Sequence, residues 1–152
     1  YGLYKSEVSA DRAVRLAVNG ETIDMSPVRG YAVIDRRWSA GDRIEVSFPM
    51  GPRVVRADER VKDLVGMIAI SSGPLVYCLE QNANTNLEQM SIEIGKPMPM
   101  TFSSGVLGGV NVISGTARLK DGSNETFTAV PYFAAGNARP GTGYKVWIDA
   151  AK

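Results

Sequence analysis

Cys78 and Glu80 stand two residues apart in Gly73-Pro74-Leu75-Val76-Tyr77-Cys78-Leu79-Glu80-Gln81-Asn82, and the cysteine is the only one in 152 residues. On a strand, residues two apart share a face at about 6.5–7 Å, so a thiolate and a carboxyl there could act as nucleophile and acid. A thiolate, however, needs a base, a metal or a positive field to lower a pKa of about 8.5. The chain has no histidine, and the neighbours Leu75, Val76, Tyr77 and Leu79 are apolar or aromatic. In such company cysteine behaves as a small hydrophobe. Cys78 is therefore expected in the core, sharing an inward face with Val76, with Glu80 at the solvent end of the strand. The missing histidine also removes Ser-His-Asp and Cys-His catalysis and most zinc sites from this chain.

Paired carboxylates would suit glycoside hydrolysis. Asp35, Asp42, Asp58, Glu59, Glu88 and Glu93 are available, but none sits in a signature, and Asp35, Asp42 and Glu59 each precede an arginine, as on a solvated face. Aromatic side chains could stack on sugar rings. Trp38, Tyr132 and Trp147 are the candidates for a carbohydrate or domain contact, with Phe133 and Tyr144 near them in sequence. The loop Gly136-Asn137-Ala138-Arg139-Pro140-Gly141 is glycine-containing but lacks the Lys-Ser/Thr ending and the helix of a phosphate cradle.

The elements that must position these residues follow a period of two. Val14, Leu16 and Val18 alternate up to Asn19-Gly20, the pair best suited to a type I′ turn. Residues 30–38 read as a further strand, which Ser39-Ala40-Gly41-Asp42 turns into Ile44, Val46 and Phe48, all on one face. Residues 66–70 and 74–80 flank Ser71-Ser72-Gly73 as a hairpin. Runs at 91–94, 109–115, 115–119, 126–133 and 144–149 add β-branched and aromatic segments. In the last of these, Val146 and Ile148 are expected to face inward and Trp147 outward. About nine or ten short strands at this spacing imply an all-β, antiparallel β-sandwich or jelly-roll-like domain. The one helical candidate is the short piece at 9–14. Residues 1–152 read as a single domain, with the polar loop 81–90 as the place for any subdivision.

Seventeen basic residues against sixteen acidic ones do not make a nucleic-acid surface. No apolar run reaches the roughly 18 residues that cross a bilayer as a helix. The opening residues carry neither the basic start nor the apolar segment of a signal peptide, and read as the interior of a longer protein.

Taken together, Val18-Asn19-Gly20-Glu21, Gly30-Tyr31, Arg37-Trp38, Gly41-Asp42, Gly73-Pro74-Leu75-Val76-Tyr77, Glu80, Pro131-Tyr132 and Val146-Trp147 resemble the β-sandwich region that follows the catalytic barrel in glycoside hydrolase family 127, the β-L-arabinofuranosidase group. The resemblance spans about residues 15–149. It departs at the start, where the family's Arg-Ile-Pro-x-Trp strand is replaced by Gly2-Leu3-Tyr4-Lys5-Ser6. What it implies is a division of labour. The catalytic residues, with a zinc-held cysteine cluster, would belong to a preceding (α/α)-barrel, and none of them maps onto this chain. The chain itself would be a non-catalytic accessory sandwich without cofactor, partnered by its own barrel. The alternative is an independent carbohydrate-binding module. A periplasmic or extracellular location is favoured, and neither nucleic acid nor membrane is expected as a partner.

Overall fold

A computed structural model describes residues 2–7, 14–24, 26–137 and 141–151. In chain order its strands are β1 (Tyr4–Glu7), β2 (Arg15–Val18), β3 (Glu21–Ile23), β4 (Ile44–Ser47), β5 (Pro52–Ala57), β6 (Met67–Ser72), β7 (Leu75–Glu80), β8 (Met90–Ile92), β9 (Met100–Ser103), β10 (Val110–Leu119), β11 (Asn124–Pro131), β12 (Tyr144–Lys145) and β13 (Ile148–Ala150). Helical structure among the described residues is confined to three short 3-10 turns. The all-β expectation holds, with more and shorter strands than periodicity resolves. The helical reading of 9–14 falls mostly outside the described residues.

The chain divides into two compact units, Tyr1–Val8 with Gly51–Lys152, and Ser9–Met50. The division does not fall in the loop 81–90. That loop is tied to the sheet by Asn84, a fully buried side chain whose amide bonds to the backbone of Glu80 and Thr128.

In the larger unit the strand pairings close on themselves. β6 pairs β13, β13 pairs β8, β8 pairs β10, β10 pairs β11, β11 pairs β7, and β7 returns to β6. Among these pairings only β13–β8 is parallel. The hairpin between β6 and β7 turns on Gly73-Pro74. Gly73 has φ 53°, the positive value that a type II′ turn demands at its first loop position. The ten-residue β10 is the spine, pairing β8, β9 and β11. Inside the closed sheet lie Ile68, Ile70, Tyr77, Leu79, Ile92, Ile113, Phe127 and Ile148, none more than 2% exposed. Each such side chain contributes about 1.5–3 kcal/mol by leaving water. Tyr77 also carries a polar atom inward, and its hydroxyl donates to the Asn111 carbonyl at 3.1 Å. The methionines at 98 and 100 lie half-buried against this core.

The run 144–149 is broken. β12 pairs β7, whereas β13 leaves it to pair β6 and β8. Ile148 is buried as alternation requires, while Val146 and Trp147 are both half-buried.

The smaller unit is a three-stranded sheet in the order β3-β2-β4. Asn19 and Gly20 have φ 53° and 85°, so the two-residue turn is the one the sequence predicts. Residues 30–38 do not form a strand. Arg29 and Gly30 both take positive φ, 50° and 86°, and turn the chain sharply at an isolated Val28–Tyr31 bridge. The apolar residues beyond have no neighbouring strand to pair with, so their alternation is not realised as structure. Leu16 and Val18 are buried, but Ile44, Val46 and Phe48, which share one side as expected, are 51%, 48% and 64% exposed.

Candidate functional site

Cys78 sits in β7, directly opposite Val130 on β11, and is fully buried. Burial first, and the negative charge of Glu80 second, push its thiol up to about 11. That is the wrong direction for a nucleophile. Two details differ from the sequence reading. Val76 is exposed, while Tyr77, Cys78, Leu79 and Glu80 are all buried. β7 is covered on both faces in its second half, where the turn Tyr132–Ala134 packs on it. Glu80 is accordingly not at a solvent end. One carboxylate oxygen accepts the Gly136 N–H at 2.7 Å, and its carbonyl accepts the Asn84 backbone and side-chain N–H groups at 3.0 and 2.8 Å. Glu80 anchors the chain leaving β11, a structural task.

A thiol reagent should therefore modify the native protein slowly and the unfolded protein fast. Because the folded thiol is held protonated above its unfolded pKa, the native state binds more protons between pH 9 and 11. Stability should be complete below that window and fall as pH rises through it. Rapid labelling of the native protein at neutral pH would show the sulfur to be accessible.

The aromatic candidates fall into three places. Tyr132 and Tyr144, each about half exposed, meet edge to face with ring centroids 5.5 Å apart and hydroxyls 3.1 Å apart. That hydrogen bond is the first cause that raises the Tyr144 phenol above its ordinary range. Phe133, 58% exposed, follows Tyr132 in the same turn. Trp147 stacks on Tyr4 at 5.8 Å and 30°, and the two rings help line a shallow groove of about 350 Å³ with Val55, Val76 and Val146. Trp38 belongs to the smaller unit, where the Arg36 guanidinium lies 5.2 Å over its ring. Sequence inspection names Tyr132, Tyr144 and Trp147 but does not pair the two tyrosines and misses Tyr4, because each pair is made across the fold.

Asp42, Asp58, Glu88 and Glu93 are engaged in structure. Asp42 accepts the Ser39 N–H at 2.9 Å and the Asn19 amide at 2.8 Å, which hold its carboxyl below the usual range. Asp58 is lowered by its bond to Arg60 at 2.7 Å. Glu88 meets Lys145 at 2.6 Å, and Glu93 pairs with Lys96 and Arg118. Zinc does not fit what is present. The chain has no histidine, its one cysteine is sealed, and no three Cys, Asp or Glu residues gather to hold a metal among the described residues.

A closed β-sheet with a sealed thiol and surface aromatic pairs defines a β-sandwich module. Residues 52–149 match the glycoside hydrolase family 127 C-terminal domain, and residues 9–50 match the β-L-arabinofuranosidase GH127 middle domain. The chain belongs to glycoside hydrolase family 127. The two matches follow the two structural units. A non-reducing end β-L-arabinofuranosidase of Bifidobacterium longum subsp. longum is 33% identical over 104 residues, which are 64% of this chain and 16% of that protein. A solved GH127 β-arabinofuranosidase superposes with TM-score 0.83 at 31% identity, over 98% of this chain and 25% of that one. A GH127 β-L-arabinofuranosidase from Geobacillus stearothermophilus T6 gives TM-score 0.86 at 26% identity, over 99% of this chain and 27% of that one. The chain thus spans about a sixth of the curated relative and about a quarter of the solved ones.

Proposed function

We propose that this chain is a non-catalytic accessory part of a bacterial glycoside hydrolase acting on β-L-arabinofuranosides, and that it buttresses an (α/α)-barrel that carries the catalytic zinc. The observation that carries the reading is the environment of Cys78. The chain's one thiol, its only cysteine nucleophile or thiolate ligand, is fully buried and pushed up to about 11. The match to middle and C-terminal domains supports the same division of labour. The exposed cluster Tyr132, Phe133 and Tyr144, the Tyr4–Trp147 pair and Trp38 then supply surfaces for the barrel.

The test is direct. The 152-residue chain should release no sugar from aryl β-L-arabinofuranosides, with or without added zinc, whereas a full-length protein containing it should. Turnover by the chain alone that disappears in a folded Cys78→Ala variant would overturn the reading.

The Tyr132–Tyr144 pair favours one second reading, a carbohydrate-binding module, because two half-exposed rings with a polar hydroxyl bridge can stack on a sugar and bond to it. Saturable binding of an arabinan by the chain, lost in Tyr132→Ala, would select that alternative.

A further inference from the structure

Asn19-Gly20 is the one Asn-Gly pair in the sequence, and an asparagine followed by glycine can close a ring on itself. The Gly20 backbone nitrogen attacks the carbonyl carbon of the Asn19 side chain. The side-chain carbon–nitrogen bond breaks, and ammonia leaves with the proton of the Gly20 N–H. Water then opens the succinimide at either carbonyl, giving aspartate or isoaspartate. Glycine permits the attack because it has no side chain to hinder the approach.

Ring closure needs the Gly20 nitrogen and the Asn19 Cβ on the same side of the Cα–C bond, and the folded turn holds them apart. Asn19 has φ 53°. At the first central position of a type I′ turn ψ is about +30°, which sets that nitrogen almost opposite Cβ. The side chain is pinned as well. Its oxygen accepts the Arg43 N–H at 2.9 Å, and its nitrogen donates to an Asp42 carboxylate oxygen at 2.8 Å. The Asn19 backbone N–H donates to the Arg43 carbonyl at 3.0 Å. Three bonds thus fasten the tip of the β2–β3 hairpin to the turn that leads into β4. The amide cannot swing toward Gly20 without breaking two of them.

Either product undoes the fastening. Aspartate sets a second carboxylate where Asp42 accepts an N–H, replacing a hydrogen bond with a like-charge pair. Isoaspartate adds a methylene to the backbone of a two-residue loop whose length fixes the register of β2 against β3.

We propose that Asn19 is a deamidation site gated by the fold. It is inert while the β2–β3 turn is fastened to Asp42 and Arg43, reactive once the smaller unit opens, and unable to refasten after reacting. Chains that have opened are thereby marked irreversibly. The proposal is independent of the accessory-domain reading, since it concerns the chain's own chemistry.

Incubation at neutral pH, followed by trypsin and mass spectrometry, tests it. Trypsin releases residues 16–29, in which Asn19 is the only asparagine and there is no glutamine, so the mass shift of that peptide reports this site alone. The native chain should deamidate there roughly tenfold more slowly, or less, than the chain in urea. Asp42→Ala removes one of the two bonds on the amide and should raise the native rate by roughly threefold or more, with circular dichroism showing the variant folded. Should that variant not fold, the unaltered chain decides the matter. Its rate should climb with the urea that removes hydrogen-exchange protection from the β2–β3 hairpin. Asn19→Asp, the product made directly, should lose roughly tenfold of that protection in the absence of urea. Equal rates in native buffer and in urea overturn the proposal. So does a folded Asp42→Ala chain that deamidates no faster, or an Asn19→Asp hairpin as protected as the unaltered one.

Discussion

Replacing Asn84 by alanine should lower the stability of the larger unit by about 3–5 kcal/mol, read as a shift of the urea midpoint at unchanged slope. Asn84 is fully buried and occupies a place where a strand would otherwise be. β7 pairs β11 at Ala129, Val130 and Pro131. At the next residue back along β11, Thr128, the partner is the Asn84 side chain. Its oxygen accepts the Thr128 N–H at 2.9 Å, and its nitrogen donates to the Thr128 carbonyl at 2.9 Å and the Glu80 carbonyl at 2.8 Å. Truncation leaves the Thr128 N–H and carbonyl buried without that partner, each worth about 1–3 kcal/mol, while the Glu80 carbonyl keeps the Asn84 backbone N–H. Against a total stability of about 5–15 kcal/mol, that loss brings unfolding close to ambient conditions. Asn84→Asp keeps the acceptor but loses both donor bonds and buries a charge. Its defect should ease as pH falls, because protonation removes the charge and restores a donor. A cost below about 1 kcal/mol for Asn84→Ala would mean that water fills the site and satisfies the same groups.

Asn84 also marks the limit of what the sequence discloses. Five asparagine and glutamine residues crowd positions 81–89, and nothing in their spacing separates the buried one from the rest. The bond depends on where β11 lies, forty-four residues away. By contrast, the Asn19-Gly20 turn is legible because both φ requirements are local. The strands β6, β7 and β11 are legible because continuous β-branched and aromatic runs form elements covered on both faces. Residues 30–38 carry the same alternation, yet a strand needs a neighbour, and pairing is not a local property. Burial is misjudged for the same reason. Val76 and Cys78 share a side, but a turn that lies over only part of β7 covers one of them and not the other. For the candidate site, the sequence identifies Cys78 as a core residue, since missing histidine and apolar neighbours are local facts. The tyrosine pair could not be read there, because its 3.1 Å bond joins residues from a turn and a separate strand.

Gly115 should tolerate no side chain. It lies within β10, directly opposite Phe127 on β11. A Cβ built there would fall 2.7 and 2.8 Å from two carbons of the Phe127 ring and 3.4 Å from Met98 Cγ. The ring is fully buried within the core, so it cannot swing into solvent to make room. An aromatic ring laid over a cross-strand glycine covers a backbone that has no side chain of its own, and here the arrangement also fills the core. Gly115→Ala should therefore cost about 1–3 kcal/mol through overpacking, and Gly115→Val more. The decisive comparison is with Phe127→Leu, which shortens the obstructing ring and leaves a small void. If the clash is the cause, the alanine methyl should occupy part of that void in the double variant. Its loss of stability should then be smaller than the sum of the two single losses by about 1 kcal/mol, within the usual range for residues in contact. Additivity to within about 0.3 kcal/mol would place the cost of the glycine replacement in the backbone instead. Phe102 provides the control. It too lies over a glycine, Gly109, but its ring is 69% exposed and can turn outward. Phe102→Leu should accordingly change the urea midpoint little, whereas Phe127→Leu should lower it clearly.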